Sequence, residues 1–147
     1  MSRIAREAIV PYTCRQMYDL VTDVTSYPEF ISWCNRVDSE ALDQNSVKVR
    51  LEILYKKTVD LSFTTINTNT PDRCVEMKLA DGPFSRLRGH WYFNSLGERG
   101  CKIVFQLDYE FRKSLKNLLV KRVFNEVSSS LLDAFRARAR QKYGIPT

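Results

Sequence analysis

The sequence predicts an α+β domain in which a curved antiparallel sheet wraps a long C-terminal helix, with two short helices after the first strand. Three observations carry this. Apolar residues between 47 and 111 recur mainly at every second position, those between 113 and 143 recur at about 3.6, and a short helical spacing separates the first strand-like run from the rest. At 147 residues and 44% apolar content the chain has the size and composition of one folded domain over 1–147, which excludes a disordered or fibrous chain.

IAREAIVPY is a first strand ended by Pro11, which has no N–H to donate to a ladder. Thr13 is the expected N-cap of a first helix with Met17, Leu20, Val21 and Val24 on one side. Pro28 biases Tyr27 away from helix, so a second, very short turn is expected to begin near Pro28. Val47, Val49, Leu51, Ile53 and Tyr55 then alternate with polar residues, and after a connection near Lys56-Lys57 so do Val59, Leu61 and Phe63. TPDRC marks a turn, followed by Val75, Met77 and Leu79 on one strand face.

In DGPFSRLRGHWYF, residues 81 to 93, Gly82-Pro83 makes a turn and Leu87, Gly89, Trp91 and Phe93 share a face opposite Arg86, Arg88, His90 and Tyr92. CKIVFQLDYEF continues the meander with Ile103, Phe105, Leu107, Tyr109 and Phe111 inward. From Lys113 to Tyr143 no Gly or Pro intervenes. Leu115, Leu119, Val123, Val127, Leu131, Phe135 and Ala139 form one stripe, which predicts a single helix of roughly 45 Å stopped at Gly144, with Pro146 as a breaker beyond.

The net charge of +6 resides in residues 113 to 142, the remainder being balanced. Clustered Lys and Arg of this kind suit phosphate on nucleic acid or a membrane surface, and equally an ordinary solvated helix face. Four scattered cysteines without a C-x-x-C pair, and a single histidine, imply no metal. No window has the length of a membrane span and the N-terminus lacks a signal-peptide run, so free thiols in a reducing cytoplasm are expected.

Catalytic candidates are few. His90 is the only histidine and faces away from the expected core; Asp108 and Glu110 also point outward; G-x-S-x-G and phosphate-cradling glycine loops are absent. The aromatic residues are the stronger signal. Phe63, Trp91, Phe93, Phe105, Tyr109 and Phe124 should converge on the gap between sheet and helix, as core or as the wall of a cavity, with Met77, Leu87, Val127 and Leu131 beside them. Tyr27, Phe30, Trp33 and Phe84 fall in turns, where large apolar groups suit a cavity mouth.

Three ordered motifs, Y-x-x-x-x-M-x-x-L-V-x-D-V-x-x-Y-P-E-F from Tyr12 with W-C after it, D-G-P-F-x-x-L-x-G-x-W-x-F from Asp81, and A-F-x-x-R-A-x-x-x-Y-G from Ala134, span nearly the whole chain. They resemble the coenzyme Q-binding START-like family. The resemblance implies a helix-grip fold around an apolar cavity, no catalysis and no required cofactor, ubiquinone or a similar polyprenyl lipid as bound ligand, and support of respiration. For the ribosome-associating bacterial members it implies instead a toxin that binds the large ribosomal subunit and blocks subunit joining, inhibiting translation initiation. The absence of an import presequence before the first strand favours a bacterial member. The resemblance makes Leu87, Trp91 and Phe93 cavity wall, with Gly89 leaving room for a bend or a ligand.

Two readings from different classes follow: a carrier of an apolar ligand, cytoplasmic or peripheral at the inner membrane, and a ribosome-binding inhibitor with Lys116, Lys121, Arg122, Arg136 and Arg140 as candidate phosphate contacts. An aromatase or cyclase is a third, on fold analogy alone.

Overall fold

The computed structural model describes residues 2–145; the expected breaker Pro146 lies outside them. Seven strands form one antiparallel sheet in the order β1-β7-β6-β5-β4-β3-β2. They are β1 (Ser2–Val10), β2 (Cys34–Ala41), β3 (Ser46–Tyr55), β4 (Val59–Thr70), β5 (Cys74–Asp81), β6 (Phe84–Ser95) and β7 (Cys101–Phe111). Helix α1 (Cys14–Thr22) and a 3-10 helix (Val24–Glu29) follow β1, and α2 (Leu118–Ser129) and α3 (Leu131–Tyr143) close the chain.

Local chemistry explains the joints. Thr13 caps α1 in a reciprocal pair: its hydroxyl accepts from the Gln16 N–H at 3.0 Å, and its own N–H donates to Gln16 Oε1 at 2.9 Å. Lys56 and Lys57 both take positive φ, the geometry of a tight hairpin turn whose twist matches the strands it joins. Asp72 takes positive φ in the TPDR turn.

The second short helix begins at Val24, not near Pro28, and Pro28 lies toward its end. Asp23 starts it, its carbonyl accepting from the Ser26 N–H at 3.2 Å and its carboxylate from the Ser26 hydroxyl at 2.6 Å. Strand β2 has no counterpart in the sequence reading. It is a mostly exposed edge strand whose residues CNRVDSEA offer no apolar alternation, yet its backbone pairs with β3 from Cys34 to Ala41.

The expected single helix is two. Asn117 accepts from the N–H groups of Leu119 and Val120 at 2.9 and 3.3 Å, which sets the start at Leu118, so Lys113 and Lys116 lie in the preceding connection. The break falls at Ser130, whose hydroxyl donates to the Val127 carbonyl at 2.9 Å and draws on an acceptor that regular helix would use. The buried stripe is accordingly Val120, Val123, Phe124, Val127 and Ser128 on α2, then Leu132, Phe135 and Ala139 on α3. Leu119, expected inward, is exposed. Gly144 ends α3 at φ 78°, with its N–H on the Arg140 carbonyl at 2.9 Å.

The core lies between the sheet's inner face and α2 with α3, in two aromatic groups. Phe135 gathers Tyr27, Phe30 and Trp91 at centroid distances of 5.3, 5.5 and 5.2 Å. Phe124 gathers Phe63, Phe84 and Tyr109 at 5.8, 5.0 and 4.8 Å. Edge-to-face contacts prevail, the arrangement favoured by ring quadrupoles.

Candidate functional site: an apolar cavity and two basic patches

The space between the two aromatic groups is a cavity of about 90 Å³. Nine residues expected at a wall or mouth line it: Tyr27, Trp33, Phe63, Met77, Leu87, Trp91, Phe105, Phe124 and Leu131. Trp33, Phe63, Met77 and Leu131 are half-buried and form its solvent side, whereas Trp91 and Phe105 are almost fully buried and form its floor.

Five expected wall residues sit elsewhere. Phe84 packs behind the wall, stacked on Phe111 at 4.7 Å and against Phe124. Phe93 points toward α1 and meets Tyr18 at 5.8 Å. Tyr109 lies beyond Phe124, its hydroxyl accepting from Asn125 Nδ2 at 2.9 Å. Val127 is buried in the core beside the cavity without lining it. Phe30 lies in an outer groove, where the Arg138 guanidinium stands 5.0 Å from its ring centre and 3.3 Å from the Glu29 carboxylate. The common reason is that sharing a strand or helix face brings a residue to the core, but only the middle of each face reaches the gap.

The sequence reading missed three polar members of the wall, Thr65, Asn67 and Ser128. All are buried, at 6%, 7% and 6% exposure. The Thr65 hydroxyl donates to Asn67 Oδ1 at 2.7 Å, which leaves the Asn67 amide hydrogens and the Ser128 hydroxyl without a protein acceptor among the described residues. The signal existed: the alternation of Val59, Leu61 and Phe63 continues to Thr65 and Asn67, and Ser128 lies four residues after Phe124. Their polarity hid them from a search for apolar residues.

Gly89 does not open the wall. A Cβ there would meet Met77 Cε at 2.5 Å and Leu107 Cδ1 at 3.2 Å, so the room it provides is filled by side chains of the two neighbouring strands.

No pair of groups in the cavity suits proton transfer. Tyr27 donates its hydroxyl to the Val21 carbonyl, and burial pushes its acidity far from neutral pH. His90 lies on the outer face, stacked on Tyr92 and 3.9 Å from Glu76. Burial opposes ionisation of Glu76, but Arg88, Lys78 and His90 outweigh it and hold the carboxyl below its ordinary range. Asp108 is held low chiefly by its hydrogen bond from Arg3 at 2.6 Å. These are surface charge networks.

The candidate phosphate contacts form two patches, since the helix that was to carry them is broken. Lys121 shares a recess with Arg112 and Lys113 at the start of α2, and Lys116 and Arg122 are exposed nearby in sequence. Arg136 and Arg140 line a second recess with Ile9, Tyr12 and Ile145. Arg136 pairs with Asp133 at 3.3 Å; among the described residues Lys116, Lys121, Arg122 and Arg140 have no carboxylate partner. Ile9 and Ile145 are 64% and 67% exposed beside the second patch. No helix among the described residues is long and apolar enough to cross a membrane.

The family model for polyketide cyclase/dehydrase and lipid transport proteins matches residues 10–136. The chain belongs to this START-like family. It is 38% identical over 144 residues to the ribosome association toxin RatA of Pseudomonas aeruginosa, covering 97% of this chain and 99% of that protein. The Escherichia coli RatA is 39% identical over 97% of this chain and 90% of its own length. A mitochondrial coenzyme Q-binding protein, COQ10 homolog B of Xenopus laevis, is 30% identical over 92% of this chain and 57% of its own. Among solved structures, the Streptomyces aromatase/cyclase Zhui superposes with a TM-score of 0.83 at 16% identity, covering 97% of this chain and 95% of its own. A START superfamily protein of Mycobacterium smegmatis gives 0.77 at 17%, covering 95% and 97%. At that identity the likeness is one of fold. One fold thus carries an aromatase/cyclase as well as proteins named for binding, so the fold by itself does not assign a role.

Proposed function

We propose that this START-like protein is a non-enzymatic ribosome-associating factor whose basic patches meet rRNA phosphates of the large subunit, and that occupancy there blocks subunit joining. The observation that carries this reading is the near end-to-end similarity to the RatA proteins, at 38–39% identity. The four exposed or half-exposed cations without carboxylate partners supply a physical means, because cations free of ion pairs can neutralise phosphates without first breaking a bond. The test is pelleting of purified protein with isolated large subunits, comparing the native chain with the variant Lys116→Glu, Lys121→Glu, Arg122→Glu, Arg140→Glu. The native chain pellets and the variant stays in the supernatant, while circular dichroism of the two agrees. Equal pelleting removes the basic patches from the account.

A second reading, apolar ligand binding, rests on the hydrogen-bonding groups of Asn67 and Ser128 in a largely apolar wall. A quinone carbonyl is the kind of acceptor they suit. Space limits it: a dry engineered cavity of about 150 Å³ takes one benzene, so about 90 Å³ does not house a prenylated ring unless the half-buried mouth residues move. Organic extraction and mass spectrometry of natively purified protein decides: stoichiometric quinone supports ligand carriage, and an empty extract from folded protein leaves the aromatic set as core.

A further inference from the structure

Cys14 and Cys101 are 87 residues apart in the chain, and the fold brings their sulfurs to 2.7 Å. A covalent S–S bond is about 2.05 Å, so a movement well under an ångström separates contact from bond. Both residues stand on fixed structure. Cys14 is the first residue of α1, directly after the N-cap Thr13. Cys101 opens β7 opposite Val10 of β1. The preceding Gly100 lies so close to β1 that a Cβ there would fall 2.0 Å from the Val10 carbonyl oxygen. The two sulfurs are therefore held together by the backbone rather than by flexible side chains.

Their exposures differ in a way that assigns roles. Cys14 is part-exposed, whereas Cys101 is 0% exposed. Burial first, then the Cys14 contact, pushes the Cys101 thiol up to about 12, so it stays protonated and is not the first sulfur attacked. The remaining cysteines have no such neighbour: Cys34 is buried with its thiol pushed up to about 11, and burial together with Glu76 raises that of Cys74. Neither makes a sulfur–sulfur contact among the described residues.

We infer that Cys14 and Cys101 are a peroxide-oxidised thiol pair that closes to an intrachain disulfide joining α1 to β7. Hydrogen peroxide oxidises the Cys14 sulfur to a sulfenic acid, the O–O bond breaking with release of one water. The Cys101 sulfur then attacks Cys14, and the sulfenic hydroxyl leaves as a second water with the Cys101 proton. In sum, two thiols and one peroxide give one disulfide and two waters. The same corner receives the end of α3, through the Tyr12 hydroxyl on the Gly144 carbonyl at 2.7 Å and the Tyr143 hydroxyl on the Gln16 carbonyl at 3.2 Å. The bond thus stiffens the seat of α3, and this holds whether or not the protein binds ribosomes.

The test uses the reduced full-length protein, treated with a few equivalents of hydrogen peroxide, alkylated under denaturing conditions and mapped by mass spectrometry. The expected result is a cross-linked Cys14–Cys101 peptide pair lighter by two hydrogens, alkylation retained at Cys34 and Cys74, reversal by dithiothreitol, and a melting midpoint raised by about 5–10 °C. Cys14→Ser, a change at a part-exposed site, abolishes the cross-link and leaves Cys101 alkylatable. Four alkylated thiols after peroxide, Cys14 carried to sulfinic acid without a cross-link, or a bond involving Cys34 or Cys74 would each overturn the inference.

Discussion

At Gly100 the chain turns into β7 with φ 111° and passes within van der Waals contact of β1, so both conformation and space demand glycine. Gly100→Ala is therefore expected to destabilise the fold by about 3 kcal/mol or more, from backbone strain plus a clash with backbone that cannot yield; urea unfolding reads this as a lower midpoint with an unchanged slope. Trp91→Ala is expected to cost about 3–5 kcal/mol, because Trp91 is buried between Phe105 and Phe135. For that reason a loss of ligand in Trp91→Ala would not separate binding from folding. Ser128→Ala is the cleaner probe: it removes a free hydroxyl, barely changes the volume, leaves the Thr65–Asn67 bond in place, and should weaken retention of a carbonyl-bearing ligand if one is carried, with circular dichroism unchanged. The wall's apolar members were legible from alternation, as Leu87, Trp91 and Phe105 show. Thr65, Asn67 and Ser128 hold the same spacing, but their polarity masks them in a pattern read from apolar residues.

At the scale of elements, periodicity located six of the seven strands and failed where a strand is defined by hydrogen bonds alone. Strand β2 buries only Cys34 among its eight residues, so no apolar pattern could announce it. The C-terminal stripe located the helical segment but neither its start at Leu118 nor the Ser130 break, because a kink of this kind leaves the 3.6 period nearly intact; in the first turn of α2 it is Val120, not Leu119, that points inward. Asn117→Ala should cost about 1 kcal/mol through loss of the α2 cap, read by thermal unfolding. Strand β1 is tied to β7 by the Arg3–Asp108 pair, and Asp108 is held below its ordinary 3.8 first by the Arg3 hydrogen bond. A depressed folded-state value means that the contribution is present above the unfolded value and is lost as pH falls through the folded one. Stability should therefore decline below about pH 4, and less steeply in Asp108→Asn, in melting curves recorded from pH 6 down to pH 2. The exposure of Arg3 keeps the effect small.

For the whole molecule, the +6 charge concentrated between residues 113 and 142 is divided by the fold between the start of α2 and the length of α3. Two patches on different elements can engage phosphates only where the partner's backbone follows the same curvature, which a folded RNA does and an extended strand does not. The cavity, by contrast, is small, with half-buried side chains on its solvent side. Association with the large ribosomal subunit through these cations is read by salt titration of binding to isolated large subunits. If Lys116, Lys121, Arg122 and Arg140 each neutralise a phosphate, log affinity should fall against log salt with a slope of about −3 to −4, and the charge-reversal variant should not bind at any salt. A flat salt response, or no association at the lowest salt with folded protein, would contradict the account.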